Sequence, residues 1–335
     1  MSFLRKARVT TAVSAAVCVA ATVGSGVAMA DATPPSPKAT NGAKVQVLAR
    51  DVGTPVAFAF DGSTVFVAGG GNGTKSGGVY VLKGGKAIRL PGSPATSFGV
   101  VWHKGTLYVS GGPEILAWSG WNGTKFAKKR VVVKGPKGFL AFNGIAYGPH
   151  GRLYSGETLS SAPAADYTHP SFPYANDFLS VSAGGGPIKV VATGLRQPWQ
   201  PAFLANGKLI LSDLGQDNLG KKEPPDLLVQ VEQGDNFGFA KCSWAPKSPC
   251  SSYTKPLEEF PAHSSAMGIG VSGSTLYVAL FGGTGHGSEV VKLSANGGPY
   301  TPFLTGFAAP VIAAGVNGNY VYAGDASGAI YRVSK

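Results

Sequence analysis

Charge is thin in this chain: Asp, Glu, Lys and Arg together make up 14% of its 335 residues. Cysteine and methionine number three each. Beyond residue 27 no apolar run approaches the roughly 20 residues that a membrane helix needs. No stretch of about ten residues holds a helical apolar period without a Gly or Pro breaking it. These shortages exclude a coiled coil, a helical bundle, a cysteine-dense scaffold and stable membrane insertion. What is abundant points the other way, because 49 Gly and 24 Pro belong with short strands joined by tight turns.

The amino terminus stands apart from the rest. Arg5, Lys6 and Arg8 precede an apolar stretch over residues 9–27 that ends in Ala28, Met29 and Ala30. A basic start, an apolar middle and small residues spaced A-x-A are the marks of a secretory signal cleaved before Asp31. Residues 1–30 are therefore expected to leave, residues 31–43 to form a disordered linker poor in large apolar side chains, and residues 44–335 to fold as one domain. The expected location is outside the cell or in its envelope. Cys18 departs with the signal, and in an exported chain Cys242 and Cys250, eight apart in one loop, are expected to form a disulfide. A zinc site is the alternative, but two thiols with no His in the same loop make a poor ligand set. The whole chain carries a net charge of +12, three units of it in the signal. That excess favours an anionic glycan as partner, or simple solubility, and no nucleic-acid motif accompanies it.

One unit recurs at intervals of about 45 residues, lengthened in places by insertions. Its most regular part reads G-x-L-Y-V and appears at residues 64–67, 106–109, 152–155, 208–211, 275–278 and 319–322. Each copy follows a run of small and apolar residues suited to a crowded inner strand and precedes a third strand; five have a fourth. The sixth copy runs out of chain at Lys335, and residues 44–50 are expected to supply its missing strand and close the ring. The fold class is all-β, a six-bladed β-propeller expected as a monomer; a seventh blade follows only if residues 232–254 contain a hairpin. Loops from second to third strands and from fourth to first strands open on one face, and function is expected there. Its polar residues are Glu157, Asp166, His169, Arg196, Gln197, Asp213, Asp217, His263, His286 and Asp325.

Several segments, taken in order, carry a resemblance. Residues 143–154 are similar to N-G-L-x-F-G-P-D-G-x-L-Y, residues 192–198 to A-x-G-L-R-N-P, and residues 234–242 to G-x-N-Y-G-W-P-x-C. Residues 212–217 with 224–226, then 262–268 and 324–332, complete the series. In that order they resemble the glucose/sorbosone dehydrogenase family, propellers that oxidise sugars with pyrroloquinoline quinone and calcium. The resemblance implies a small sugar as substrate and a catalytic Arg196. It implies a quinone site using Arg196, Gln197, Asp325 and Arg332. Asp213 and Asp217 have oxygen-ligand spacing for calcium, and the same residue types serve local turns. The family's base, a His three residues before the first motif, is Leu140 here, and leucine accepts no proton. His263 is a spare candidate for base, or a histidine bonded to backbone. Three functions follow as expectations: a quinone-dependent sugar dehydrogenase, a calcium-dependent lactonase or hydrolase, and a glycan-binding propeller that has lost its chemistry.

Overall fold

The computed structural model describes residues 34–335 apart from 73–74, 158–171 and 286. The expected signal, and with it Asp166, His169 and His286, lies outside the described residues. Two short strands, β1 (Lys38–Ala39) and β2 (Gln46–Ala49), precede the first blade. Blade one is β3 (Thr54–Asp61), β4 (Thr64–Gly70), β5 (Gly78–Lys83) and β6 (Lys86–Arg89). Blade two is β7 (Gly99–His103), β8 (Thr106–Gly111), β9 (Glu114–Trp121) and β10 (Phe126–Lys134). Blade three comprises β11 (Phe142–Gly148), β12 (Arg152–Glu157), β13 (Phe178–Ser182) and β14 (Lys189–Ala192), and blade four β15 (Pro198–Phe203), β16 (Leu209–Asp213), β17 (Asp226–Val231) and β18 (Glu258–Phe260). Blade five has β19 (Ala266–Ser272), β20 (Thr275–Leu280), β21 (Glu289–Ser294) and β22 (Thr301–Thr305); blade six has β23 (Val311–Asn317), β24 (Tyr320–Asp325) and β25 (Ile330–Ser334).

All six G-x-L-Y-V copies are second strands, and every strand pairing is antiparallel. They read as continuous apolar runs because both faces of a middle strand are covered by neighbouring blades. Phe66, Leu107, Leu153, Leu211, Leu276 and Val321 are all fully or nearly fully buried. The core accordingly lies between blades. Between blades one and two, Phe66 packs within 5.5 Å of Trp102 and 5.1 Å of Trp121, ring centre to ring centre. Outer strands face water and carry the charge, as in β10, where Lys128, Lys129 and Arg130 are exposed. Charged outer strands deter edge-to-edge pairing with another sheet.

The inner strands crowd one another closely enough to require glycine. A Cβ on Gly144 would lie 2.7 Å from the Trp199 carbonyl oxygen of the next blade, and one on Gly268 would lie 2.4 Å from the Ala314 nitrogen. The ring closes as expected: β2 pairs with β25, with Gln46 opposite Arg332 and Val47 opposite Tyr331. Residues 232–254 hold no strand, so the count is six. The segment read as a linker is corrected in part. Lys38 and Ala39 pair with Thr305 and Leu304 and add a fifth strand outside blade five, because the edge of β22 offers free backbone groups there. Cys242 and Cys250 form the expected disulfide, with Cα atoms 5.1 Å apart. Among the described residues no helix is long and apolar enough to cross a membrane.

Candidate functional site

The loop between β14 and β15 carries Arg196 and Gln197 to the entrance face, and residues 232–242 hold that loop from behind. Thr193 N–H donates to the Asp235 carbonyl at 2.9 Å, Phe237 N–H to Thr193 at 3.0 Å, and Phe239 N–H to Gly194 at 2.9 Å. Gly194 has φ +70° and an added Cβ would strike the Asn236 side chain, so the turn needs glycine. The disulfide pins the buttress, with Cys242 N–H donating to the Gly238 carbonyl at 2.8 Å. This support is the role of the long insertion after β17.

Asp213, at the end of β16, is 3% exposed and directs both oxygens at this loop. It accepts Gln197 N–H at 2.7 Å and Arg196 N–H at 3.2 Å. Burial pushes its carboxyl up to about 7, against the pull of those N–H groups and of the Arg196 guanidinium. Asp226, which ends the 224–226 segment of the motif series, ties two further loops together. It accepts Gly215 N–H at 2.8 Å, Ser265 N–H at 2.8 Å and the Ser264 hydroxyl at 3.3 Å. A buried Asp directly after two prolines and ahead of an apolar strand was the available signal.

The Arg196 side chain is buried, and Nη2 lies 3.8 Å from Asp217 while Nη1 donates to Gln197 Oε1 at 3.2 Å. Asp217 is exposed and also meets His263 Nδ1 at 3.3 Å, and His263 Nε2 donates to the Gly220 carbonyl at 2.7 Å. That carbonyl, more than the nearby carboxylates, raises His263 above its ordinary range. Both ring nitrogens of His263 are engaged by acceptor oxygens, which works against the expected role of base. Arg196, Gln197, Asp213, Asp217 and His263 thus do come together, as a hydrogen-bonded rim over blade four.

Two expected site residues stay apart from that rim. Arg332 Nη2 donates to Gln46 Oε1 at 2.6 Å and its guanidinium covers the Tyr320 ring at 4.6 Å. Tyr320 opens β24 whereas Asp325 ends it at the entrance, so Arg332 points toward the opposite face. Asp325 is fully buried and closes its own turn, accepting Ser327 N–H at 3.0 Å and the Tyr331 hydroxyl at 2.8 Å. Among the described residues no three His, Cys, Asp or Glu side chains are grouped to hold a metal ion. Asp213 and Asp217 have other partners in this structure.

On blade three the Leu140 backbone N–H donates to Glu157 Oε1 at 2.9 Å. Glu157 ends β12 and is 2% exposed; its Oε2 has no hydrogen-bond partner among the described residues. Burial pushes Glu157 up to about 8, helped by the charge of Asp177, which burial itself raises to about 6.

Solved structures of other proteins share this architecture. An oxidoreductase described as a glucose dehydrogenase, from Thermus thermophilus, superposes with TM-score 0.68 at 18% identity, over 87% of this chain and all of its own. The PQQ-bound aldose sugar dehydrogenase of Streptomyces coelicolor gives 0.66 at 18% identity, over 89% and 99%. The PQQ domain of pyranose dehydrogenase from Coprinopsis cinerea gives 0.67 at 14%, over 91% and 99%. No protein-family model matches the chain, and no curated protein matches it in sequence.

Proposed function

We propose that this chain is an exported propeller that binds a sugar at the entrance over blades three and four, without the quinone-dependent oxidation performed on similar scaffolds. The observation that carries this reading is Leu140. It stands where the resemblance calls for a base, and losing a positioned base costs about 10²–10⁴-fold in rate. The expected quinone ligands do not fit the group either. A tricarboxylate quinone calls for facing cations, yet Arg332 is turned away and the Arg196 guanidinium is engaged with Asp217 and Gln197. Calcium fits no better at Asp213 and Asp217, because this ion takes about six to eight oxygens and Asp213 already accepts two backbone N–H groups.

What supports sugar binding is the rim itself. Gln197, Asp217 and His263 present donors and acceptors in a fixed array at a propeller mouth, and the structural neighbours include sugar dehydrogenases. Export is supported by the signal pattern and the disulfide. The test is to mix purified protein with the quinone and calcium, record the quinone spectrum, and follow dye reduction with a panel of aldoses. Wild type is expected to show neither a bound-quinone spectrum nor turnover, while sugar retention is seen by equilibrium dialysis. Leu140→His run in parallel reports whether restoring the base restores chemistry. A second reading, an active dehydrogenase, is favoured by the buried Arg196, a residue suited to carboxylates. Clear wild-type turnover would establish that reading and refute the first.

A further inference from the structure

Positive charge is unevenly placed along the chain. Between Asp61 and Glu157 there are twelve Lys and Arg and one acid, Glu114. Elsewhere beyond residue 30, acids outnumber Lys and Arg by 16 to 14. The fold gathers part of this excess on blades one and two, at the face opposite the entrance. The β5–β6 turn is flanked by Lys83 and Lys86, the β7–β8 turn contains Lys104, and the β9–β10 turn carries Lys125, with Lys128 just beyond it. Turns from first to second and from third to fourth strands open away from the entrance, so the five share one face. All five are exposed, and none pairs with a carboxylate among the described residues. A Cβ added to Gly84, Gly85, Gly105 or Gly123 in these turns would meet no atom within 4 Å, so the surface is open to a large partner. Lys129 ties the two blades together, since its Nζ donates to the Pro91 carbonyl beyond β6 and lies 3.7 Å from the centre of the Trp118 ring. Two acids border this surface: Asp61 at the end of β3, and Asp51, whose carboxylate accepts Ala87 N–H at 3.0 Å. Glu114 stands at the other end of its blade, 3.4 Å from Lys134.

Protection of sheet edges does not account for the pattern. Edge charge of either sign deters pairing, yet the outer strands β2 and β22 carry none and β18 carries Glu258 and Glu259. A surface of one sign attracts polyanions, and the cations left free select among them. Arginine forks onto planar carboxylates, but the arginines of this stretch are used inside the fold. Arg89 Nε donates to the Gly77 carbonyl at 2.8 Å, Arg130 Nη2 to the Ala183 carbonyl at 2.7 Å and Arg152 Nη2 to Ser180 Oγ at 2.9 Å. What remains is lysine, a point charge on a flexible stem, which suits phosphate. Trp102 and Trp121 are half-buried against Phe66 and give nucleic-acid bases no open ring to stack on. Ile88 and Val131 are the exposed aliphatic side chains of β6 and β10, too few to anchor the face in a bilayer.

We propose that the face opposite the entrance, over blades one and two, docks a linear polymer with phosphate in every repeat. Lys83, Lys86, Lys104, Lys125 and Lys128 hold its phosphates, and the contact is independent of whatever the entrance binds.

The experiment titrates the full exported chain with fluorescently labelled long-chain polyphosphate and follows anisotropy. Polygalacturonate serves as a carboxylate polymer, and vesicles of phosphatidylcholine with phosphatidylglycerol as an anionic membrane. Polyphosphate is expected to bind, with affinity falling at least about tenfold between about 50 and 200 mM salt. Lys83→Glu, Lys86→Glu, Lys125→Glu and Lys128→Glu together should weaken binding at least about tenfold. Lys208→Glu, Lys241→Glu, Lys247→Glu and Lys255→Glu together change the net charge equally from outside the patch and should stay within about threefold. If the patch variant does not fold, glutamine at the same four positions should still weaken binding at least about threefold. Equal losses in the patch and control variants would overturn the proposal, because net charge alone would then be responsible. Polygalacturonate or the vesicles binding as tightly as polyphosphate would also overturn it, as would polyphosphate failing to bind at low salt.

Discussion

Glu157, Asp177 and Asp213 share one property: each carboxyl is raised by burial above its value in an unfolded chain, to about 8, 6 and 7. The sign of the consequence follows from proton counting. Between the unfolded and folded values the folded state binds more protons, so stability falls as pH rises. The stabilising contribution is complete below about pH 4 and is lost by about pH 8, the reverse of the usual salt-bridged aspartate. Glu157→Gln removes one titration from this set. The variant is expected to match wild type in urea midpoint near pH 4 and to exceed it at pH 9, where wild type carries a buried charge. A parallel course of the two curves across pH 4–9 would show that Glu157 does not titrate in the folded state. At the rim the accounting differs, because Asp217 is exposed, and ion pairs with an exposed partner contribute about 0–1 kcal/mol. The Arg196–Asp217 contact therefore orients more than it stabilises.

The element that does most to build the site is irregular. Residues 232–254 pack behind the 193–197 turn and form no blade strand, and their conformation is maintained by backbone hydrogen bonds and by the Cys242–Cys250 bridge. Closing so short a loop removes about 2–3 kcal/mol of unfolded-state entropy by the chain model. Replacing both cysteines by serine is expected to lower the stability by about 2 kcal/mol in urea. The 193–197 amides are expected to lose protection in hydrogen exchange before those of β16 do. Unchanged protection at Leu195 would mean that the buttress stands without the bridge. The paired cysteines were legible from their spacing in an exported chain. The buttressing was not, since the bonds from Asp235, Phe237 and Phe239 to the 193–194 backbone join segments with no shared pattern.

Ring closure belongs to the whole molecule. Blade six borrows β2, so the two ends of the described chain are held by one sheet, with Gln46, Val47 and Ala49 opposite Arg332, Tyr331 and Ile330. Removing residues 1–50 takes that strand away and bares the edge of β25. The loss is expected to be on the order of 3 kcal/mol or more from the ladder bonds alone, with association visible on size exclusion. Removing residues 1–43 takes only β1, whose two residues lie outside blade five, and is expected to cost less than about 1 kcal/mol. If the shorter and longer truncations melted alike, β2 would not be the closure.

The order of residues alone specified the repeat, and with it the six blades and the borrowed strand. A middle strand covered on both faces must be apolar throughout, and an inner strand at a crowded axis must be small, as Gly144 and Gly268 are. Those demands are local and leave a pattern in the residues. The same pattern put Arg196, Gln197, Asp213, Asp217 and His263 on one face, because strand ends alternate between the two faces of a propeller. What those side chains do was settled by packing in three dimensions. Arg332 and Asp325 have the right residue types, but one lies across Tyr320 and the other closes its own turn. Glu157 and Asp177 stand 20 positions apart in sequence and acquire their raised pKa values from burial in blade three. A hydrogen-bond partner or a dielectric environment is a property of what folds against a residue, and no spacing in the chain records it.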